Sequence, residues 1–253
     1  MHAQAIATTP DLAAWRRDGF VLLGRVLDER TLVGLRAEEA ALRSRALPLG
    51  GDAPEPPNAT IFRSQALPYA PSCRDFAVHG PHLAALNTVI GPNVALFWSQ
   101  FVTKLPDGDT ARSVFPWHQD NGYGAIEPAN NVTVWTALDD VDEENGCVWV
   151  IPGSHQRGLL PHRTASADSW HLTLDVAETG VPVRLRAGEA VAFSGLTLHR
   201  SLLNHTRNPR RAFFLEYVDA NATTSRTDGP SRVCERPHAW VVSGQASLPA
   251  RRS

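Results

Sequence analysis

Between positions 94 and 218 the chain alternates short apolar runs with turn residues, and this grammar constrains the fold more than any other feature. The runs cover 94–105, 131–139, 146–151, 181–185, 190–193 and 211–218. Turn signals fall between them at Asp107-Gly108, Glu144-Asn145-Gly146, Pro152-Gly153-Ser154 and Ala187-Gly188. Many short apolar runs separated by regular turns predict a sandwich, jelly roll or barrel. The first 90 residues read differently. Asp11 precedes a predicted helix over 12–18 that Gly19 ends, 20–23 is a short strand, and 28–45 carries an apolar stripe at Leu32, Leu35, Ala40 and Leu42. The proline- and glycine-rich stretch 47–58 is a loop, and 81–90 is a third helix closed by Gly91-Pro92. Residues 221–253, rich in Arg, Ser and Pro, read as a tail or an active-site cover on a single domain 1–253 whose core spans about 15–220.

Charge and composition exclude several classes. A formal net charge of −2 with 20% charged residues offers no basic surplus for nucleic acid. No apolar run reaches the roughly 18 residues that a membrane span needs. Met1 to Pro10 lacks the basic and apolar regions of a signal peptide. Cys73, Cys147 and Cys234 have neither C-x-x-C spacing nor an even count, so a disulfide framework is not expected and a reducing cytoplasm is. The expected partner is a small molecule.

One stretch carries chemistry. In an extended segment residues i and i+2 point to the same side, so His118 and Asp120 in Trp117-His118-Gln119-Asp120 project into one space. One imidazole and one carboxylate do not hold a metal alone. The best third ligand is His199, 81 residues further on in Leu198-His199-Arg200-Ser201. Two histidines and a carboxylate with the other positions open is the arrangement of non-haem Fe(II) oxygenases. H-x-D also occurs by chance, and a histidine beside a strand is commonly a hydrogen-bonded core residue, so the triplet by itself leaves both readings open. The same triad also suits a zinc hydrolase with an activated water, and a third reading is a β-sandwich that only binds a ligand.

The wider context resembles a known family. Trp117-His118-Gln119-Asp120-Asn121, the run from Asn131 to Asp140, Glu144-Asn145-Gly146-Cys147, Ile151-Pro152-Gly153-Ser154-His155, and His199-Arg200-Ser201 with Arg210-Arg211 behind it are similar to the phytanoyl-CoA dioxygenase family. The resemblance implies a mainly β fold, a cupin-like double-stranded β-helix or jelly roll with flanking N-terminal helices, using Fe(II), 2-oxoglutarate and O2. It implies His118, Asp120 and His199 as iron ligands, and Arg210, eleven positions past the second histidine, as the partner of the distal carboxylate of 2-oxoglutarate. Arg211 and Arg207 are rivals; strand alternation lets only one of Arg210 and Arg211 face inward. Ser201 is implied as a hydroxyl assisting the same carboxylate, Trp135 as a pocket wall, and Gln100 and Arg63 as contacts to co-substrate or substrate. Asn145-Gly146 and Pro152-Gly153-Ser154 read as turns needing unusual backbone angles. Trp98, Phe101, Phe115, Asn121 and Tyr123 are pocket or core residues. A hydrolase gives no role to Arg210 or Ser201. With the Asp120 carboxylate present, the resemblance implies hydroxylation of an unactivated C–H bond in a small organic molecule such as a natural-product intermediate, an amino-acid derivative or an acyl compound, with release of succinate and CO2, and leaves desaturation, epoxidation or ring formation on the same iron open. No basic cluster suited to the phosphates of coenzyme A is visible.

Overall fold

Two antiparallel sheets enclose the inner core, and helices cover the outer face of the larger one. The computed structural model describes residues 11–43, 60–107, 113–166, 170–225, 231–236 and 239–245. In the larger sheet β1 (Phe20–Arg25) pairs with β11 (Glu189–Ser194), followed by β6 (Val132–Ala137), β13 (Arg210–Asp219), β3 (Val94–Lys104) and, at the edge, β16 (Trp240–Ser243), while β2 (Thr60–Ser64) also pairs with β3. The smaller sheet runs β10 (Val181–Val183), β7 (Val148–Val150), β12 (His199–Ser201) and β4 (Phe115–His118). Two ribbons complete the set: β15 (Ser231–Arg232), β14 (Thr223–Thr224) and β5 (Ile126–Glu127), and the pair β8 (Arg163–Thr164) with β9 (Leu172–Thr173). The architecture is the mainly β jelly roll that the strand grammar and the resemblance lead one to expect.

The period-two alternation of strands decides which side chains reach the site. Along β6, Val132 and Val134 join the core beneath the helices, whereas Trp135 and Ala137 join the core between the sheets. Along β13, Phe213, Leu215 and Tyr217 face the helices and Ala212 and Phe214 face inward. Arg210 shares the parity of Ala212 and therefore points inward, while Arg211 points out and pairs with Asp139 at 2.6 Å. The outer core is closed by Leu32, Leu35 and Leu42 of α2 (Glu29–Arg43), Phe76 of α3 (Pro71–His79) and Leu86 of α4 (His82–Val89). A shorter helix, α1 (Leu12–Asp18), is capped by the Asp11 carboxylate accepting from the amides of Ala13 and Ala14, and ends at Gly19 with φ 78°.

Helix α3 and strand β2 were not anticipated by the sequence reading, and the helix expected over 81–90 is the fourth of the chain. The predicted loop 47–58, the segment before Asp11 and Gly108 lie outside the described residues. Beyond 221, β14 pairs with β5 and β16 extends the larger sheet along β3, and no described residue of that stretch lines the cavity discussed below. No helix among the described residues is long and apolar enough to cross a membrane.

Candidate metal centre and its cavity

The two histidines separated by 81 residues are cross-strand neighbours. Strands β4 and β12 pair antiparallel with His118 opposite His199, and their ring centroids lie 4.0 Å apart. Gln119 is extended, and at Asp120 the chain enters a 3-10 turn, Asp120–Tyr123, so the carboxylate swings back beside the imidazoles. Asp120 Oδ1 lies 3.7 Å from His118 Nε2 and 3.4 Å from His199 Nε2. The ligating atoms of the three buried residues all fall within 4.8 Å of one another. Among the described residues this is the one group of three or more histidine, cysteine or acidic side chains that could hold an ion.

Gln119 fixes the geometry from the opposite side of the chain. Its amide nitrogen donates to Gly158 O (2.9 Å) and Leu196 O (2.6 Å), and its amide oxygen accepts from Leu160 N (2.8 Å). Its backbone N–H donates to His162 Nε2 at 3.0 Å. With Gln119 fastened to the segment 158–162 and to the turn at Leu196, its neighbours have little freedom except to face the cavity.

The donor set suits a divalent cation. His118 Nδ1 lies 2.8 Å from Pro116 O and His199 Nδ1 lies 3.0 Å from Thr197 O. A carbonyl only accepts, so each Nδ1 carries a proton and each Nε2 is left facing Asp120 as the atom available to a metal. Burial, and secondarily the facing His199, hold the His118 imidazole well below its ordinary range and therefore neutral. Burial opposes ionisation of Asp120, but the neighbouring histidines when they carry positive charge, His199 foremost, and a hydrogen bond from Thr133 Oγ1 (2.5 Å) outweigh it and keep the carboxyl low; a bound cation would take over the part of that charge. Neutral imidazoles and an ionised carboxylate are the protonation states that metal binding demands. Replacing Thr133 with valine keeps the shape and removes the hydroxyl that orients Asp120. The expected result is a loss of about 10- to 100-fold in Fe(II) affinity, measured by anaerobic titration, with an unchanged thermal transition.

Next to the triad lies a second buried group. Arg210 is 2% exposed, its guanidinium carbon sits 5.2 Å over the Trp135 ring, and Nη2 donates to Gly146 O at 3.1 Å. Its Nε and Nη1 find no hydrogen-bond partner among the described residues. Burial lowers its pKa to about 10, which still leaves it a cation at neutral pH. Gly146 has φ 79°, and a Cβ there would meet Leu202 O at 2.6 Å and Lys104 Cδ at 2.8 Å, so only glycine lets that carbonyl approach. Lys104, fully buried, donates to Ser113 O (2.6 Å), Ser201 Oγ (3.0 Å) and Leu202 O. The Ser201 oxygen is thus engaged by Lys104, and its own proton is left to donate into the cavity. Burial and the charge of Arg210 push the Lys104 amine well below its ordinary value.

A cavity of about 310 Å³ joins the triad to Arg210 and Ser201. Gln100 and Trp135 also line it, and the Gln100 side-chain oxygen accepts from Trp98 Nε1 (3.0 Å) and Ser64 Oγ (3.2 Å). Arg63 does not reach it, which corrects the expectation from resemblance. Phe62 and Ser64 of β2 face the cavity, so alternation turns Arg63 outward, where it donates to the carbonyls of Leu42, Phe62 and Arg43. Trp98, Phe115 and Tyr123 line the cavity, Phe101 packs against Phe213 in the outer core, and Asn121 Oδ1 accepts from Ile126 N at 2.6 Å. The sequence reading missed Thr133, Lys104 and the anchoring role of Gln119. Strand parity carries the signal for two of them, since Thr133 lies two residues before Trp135 and Lys104 four after Gln100.

The comparisons with known proteins point the same way. The family profile for phytanoyl-CoA dioxygenase (PhyH) matches residues 15–212. The peroxisomal phytanoyl-CoA dioxygenase of Bos taurus is 26% identical over 239 residues, covering 86% of this chain and 70% of that protein. Among solved structures, the epimerase SnoN in complex with Fe3+, alpha ketoglutarate and nogalamycin RO is 26% identical with a TM-score of 0.70, covering 89% of this chain and 88% of the other. The alpha ketoglutarate dependent carbocyclase SnoK from nogalamycin biosynthesis is 25% identical with a TM-score of 0.66, covering 88% and 86%.

Proposed function

The chain belongs to the phytanoyl-CoA dioxygenase family and is an Fe(II)- and 2-oxoglutarate-dependent oxygenase, and from that premise we propose that it hydroxylates an unactivated C–H bond of a small organic molecule. In this reading His118, Asp120 and His199 hold the iron, Arg210 and Ser201 bind the distal carboxylate of 2-oxoglutarate, and Trp135 and Gln100 wall the pocket. The observation that carries it is the buried Arg210 cation with two unused donors, sharing one cavity with a two-histidine, one-carboxylate cluster. A buried charge without a counter-ion is costly, and a carboxylate that arrives with the co-substrate supplies one. A zinc hydrolase gives that guanidinium nothing to bind.

Bound iron, 2-oxoglutarate and O2 supply the oxidising chemistry, in which 2-oxoglutarate becomes succinate and CO2 and the substrate gains a hydroxyl. The chain's residues do the rest. The imidazoles and Asp120 offer three donors from one side, which leaves the cavity side open. Thr133 and the Pro116 and Thr197 carbonyls hold those donors in orientation. Arg210, stacked on Trp135, presents a planar pair of N–H groups to a carboxylate, and Lys104 turns the Ser201 hydroxyl towards it. The surrounding rings exclude bulk water, so the reacting carbon is presented to the iron in a dry site. The three cysteines are free, which suits a reducing cytoplasm; the bovine relative is peroxisomal by name.

The test is a substrate screen that follows succinate. Turnover is expected to require both Fe(II) and 2-oxoglutarate, and the product formed under 18O2 should carry one labelled oxygen. Product formation that continues without 2-oxoglutarate, or a product labelled only from water, contradicts the proposal.

A further inference from the structure

We infer that the mouth of this cavity is a ring-recognition site and that the substrate is a molecule without negative charge built on a flat aromatic system. The inference deepens the oxygenase reading and rests on it for the cavity's role as substrate pocket. Four separate elements deliver aromatic rings to one place: Phe62 from β2, Phe115 from β4, Tyr123 from the turn after Asp120, and Trp170 just before β9. The Trp170 ring lies 5.3 Å from that of Phe62 and 5.9 Å from those of Phe115 and Tyr123. Phe115 in turn stands 4.5 Å from the His118 ring, and Tyr123 stands 5.7 Å from it. The box therefore opens onto one of the proposed iron ligands, where the reacting carbon must sit.

The angles between these rings matter. Trp170 meets Phe62, Phe115 and Tyr123 at 75°, 59° and 57°, so each contact is tilted or edge-on and no two of these rings stack in parallel. Trp170 is 50% exposed although four neighbouring rings surround it, the fourth being that of His171 at 4.4 Å. Unstacked rings around an opening, one of them half exposed, offer a flat aromatic guest both stacked and edge-to-face contacts. Among the described residues eight aromatic side chains line the cavity and two aliphatic ones, Val102 and Val148, so an alkyl chain meets few partners of its own kind.

Charge narrows the class further. Among the described residues lining the cavity the arginines are Arg210 and Arg200, and no lysine lines it. Arg210 is committed to the co-substrate. The Arg200 guanidinium lies 4.5 Å over Trp117 and donates to Thr179 O, on the side of β12 opposite His199 and Ser201. Among the described lining residues no cation remains for the phosphates of a coenzyme A thioester, and a substrate with its own negative charge gains no partner there.

Calorimetric titration of the full chain, loaded anaerobically with Fe(II) and 2-oxoglutarate, tests this with three probes: 2-naphthol, decahydro-2-naphthol and octanoyl-CoA. We expect 2-naphthol to bind about tenfold or more tightly than its saturated counterpart, and octanoyl-CoA to bind no better than the saturated alcohol. Trp170→Ala should erase most of that preference and Trp170→Phe should keep most of it. Equal affinity for the two alcohols, tighter binding of octanoyl-CoA, or a full preference surviving in Trp170→Ala overturns the inference. The visible iron–2-oxoglutarate band read in the same samples reports that each variant is folded and loaded. A ring preference without any band overturns the iron reading alone, and a band without a ring preference overturns this inference alone.

Discussion

Replacing Arg210 with alanine is expected to raise the Kd for 2-oxoglutarate about a hundredfold or more, with Fe(II) affinity unchanged within about twofold. The argument starts from strand parity. Position 210 faces inward on β13 and position 211 outward, so the neighbouring arginine, already paired with Asp139 at 2.6 Å, has no route to the cavity. Arg210 is a buried cation with two unused donors, and truncating one partner of a buried charge pair costs about 2–5 kcal/mol. Iron binding should be spared because the triad is held by Thr133, Pro116 and Thr197, none of which touches the guanidinium. Arg210→Lys should rescue little, since a point charge cannot reproduce the planar pair of N–H groups or the stacking on Trp135. Calorimetry of 2-oxoglutarate binding to the iron-loaded chain measures this directly. An unchanged Kd in Arg210→Ala assigns the carboxylate to another group.

Asp120→Ala should have the larger effect on turnover. It removes the anion of the cluster, leaving two neutral imidazoles that face a methyl group and a Thr133 hydroxyl without its acceptor. Losing a second partner of a ligand typically costs about 10- to 100-fold in metal affinity, and losing the ligand itself costs more. The expected outcome is Fe(II) affinity lower than that of Thr133→Val and no succinate formation above background at stoichiometric iron. The fold should survive, because Gln119 still ties this segment to Gly158, Leu160 and Leu196. Circular dichroism and the thermal transition check that point. Turnover within tenfold of the parent protein contradicts the role given to Asp120.

How much of this was legible in the sequence depends on whether the signal was local. The long strands β3, β6 and β13 show themselves through apolar runs bounded by turn residues, but both faces of β13 are largely buried, so alternation alone leaves Arg210 and Arg211 as rivals and the family spacing chooses between them. Asp11 and Gly19 mark the ends of the first helix by their own side-chain chemistry. The pairing of His118 with His199 is different, because register between β4 and β12 depends on two sheet segments meeting and leaves no trace within either segment. Motif likeness brought the three ligands to attention, and the antiparallel register explains why they converge. Strand β2 escaped notice because it is five residues long and follows a proline-rich stretch, and without its boundaries the outward parity of Arg63 could not be read. Lys104 went unread for a related reason. A lysine at the end of an apolar run looks like a strand terminus reaching solvent, and only the fold reveals the carbonyls of Ser113 and Leu202 waiting for it.

The central claim is that His118, Asp120 and His199 share a single ferrous ion, and an anaerobic optical titration tests it most directly. Adding Fe(II) to the 2-oxoglutarate-saturated chain should develop a weak visible charge-transfer band that saturates at one iron per chain, and His199→Ala should develop none. A band of normal intensity and stoichiometry in His199→Ala would show that the iron sits elsewhere.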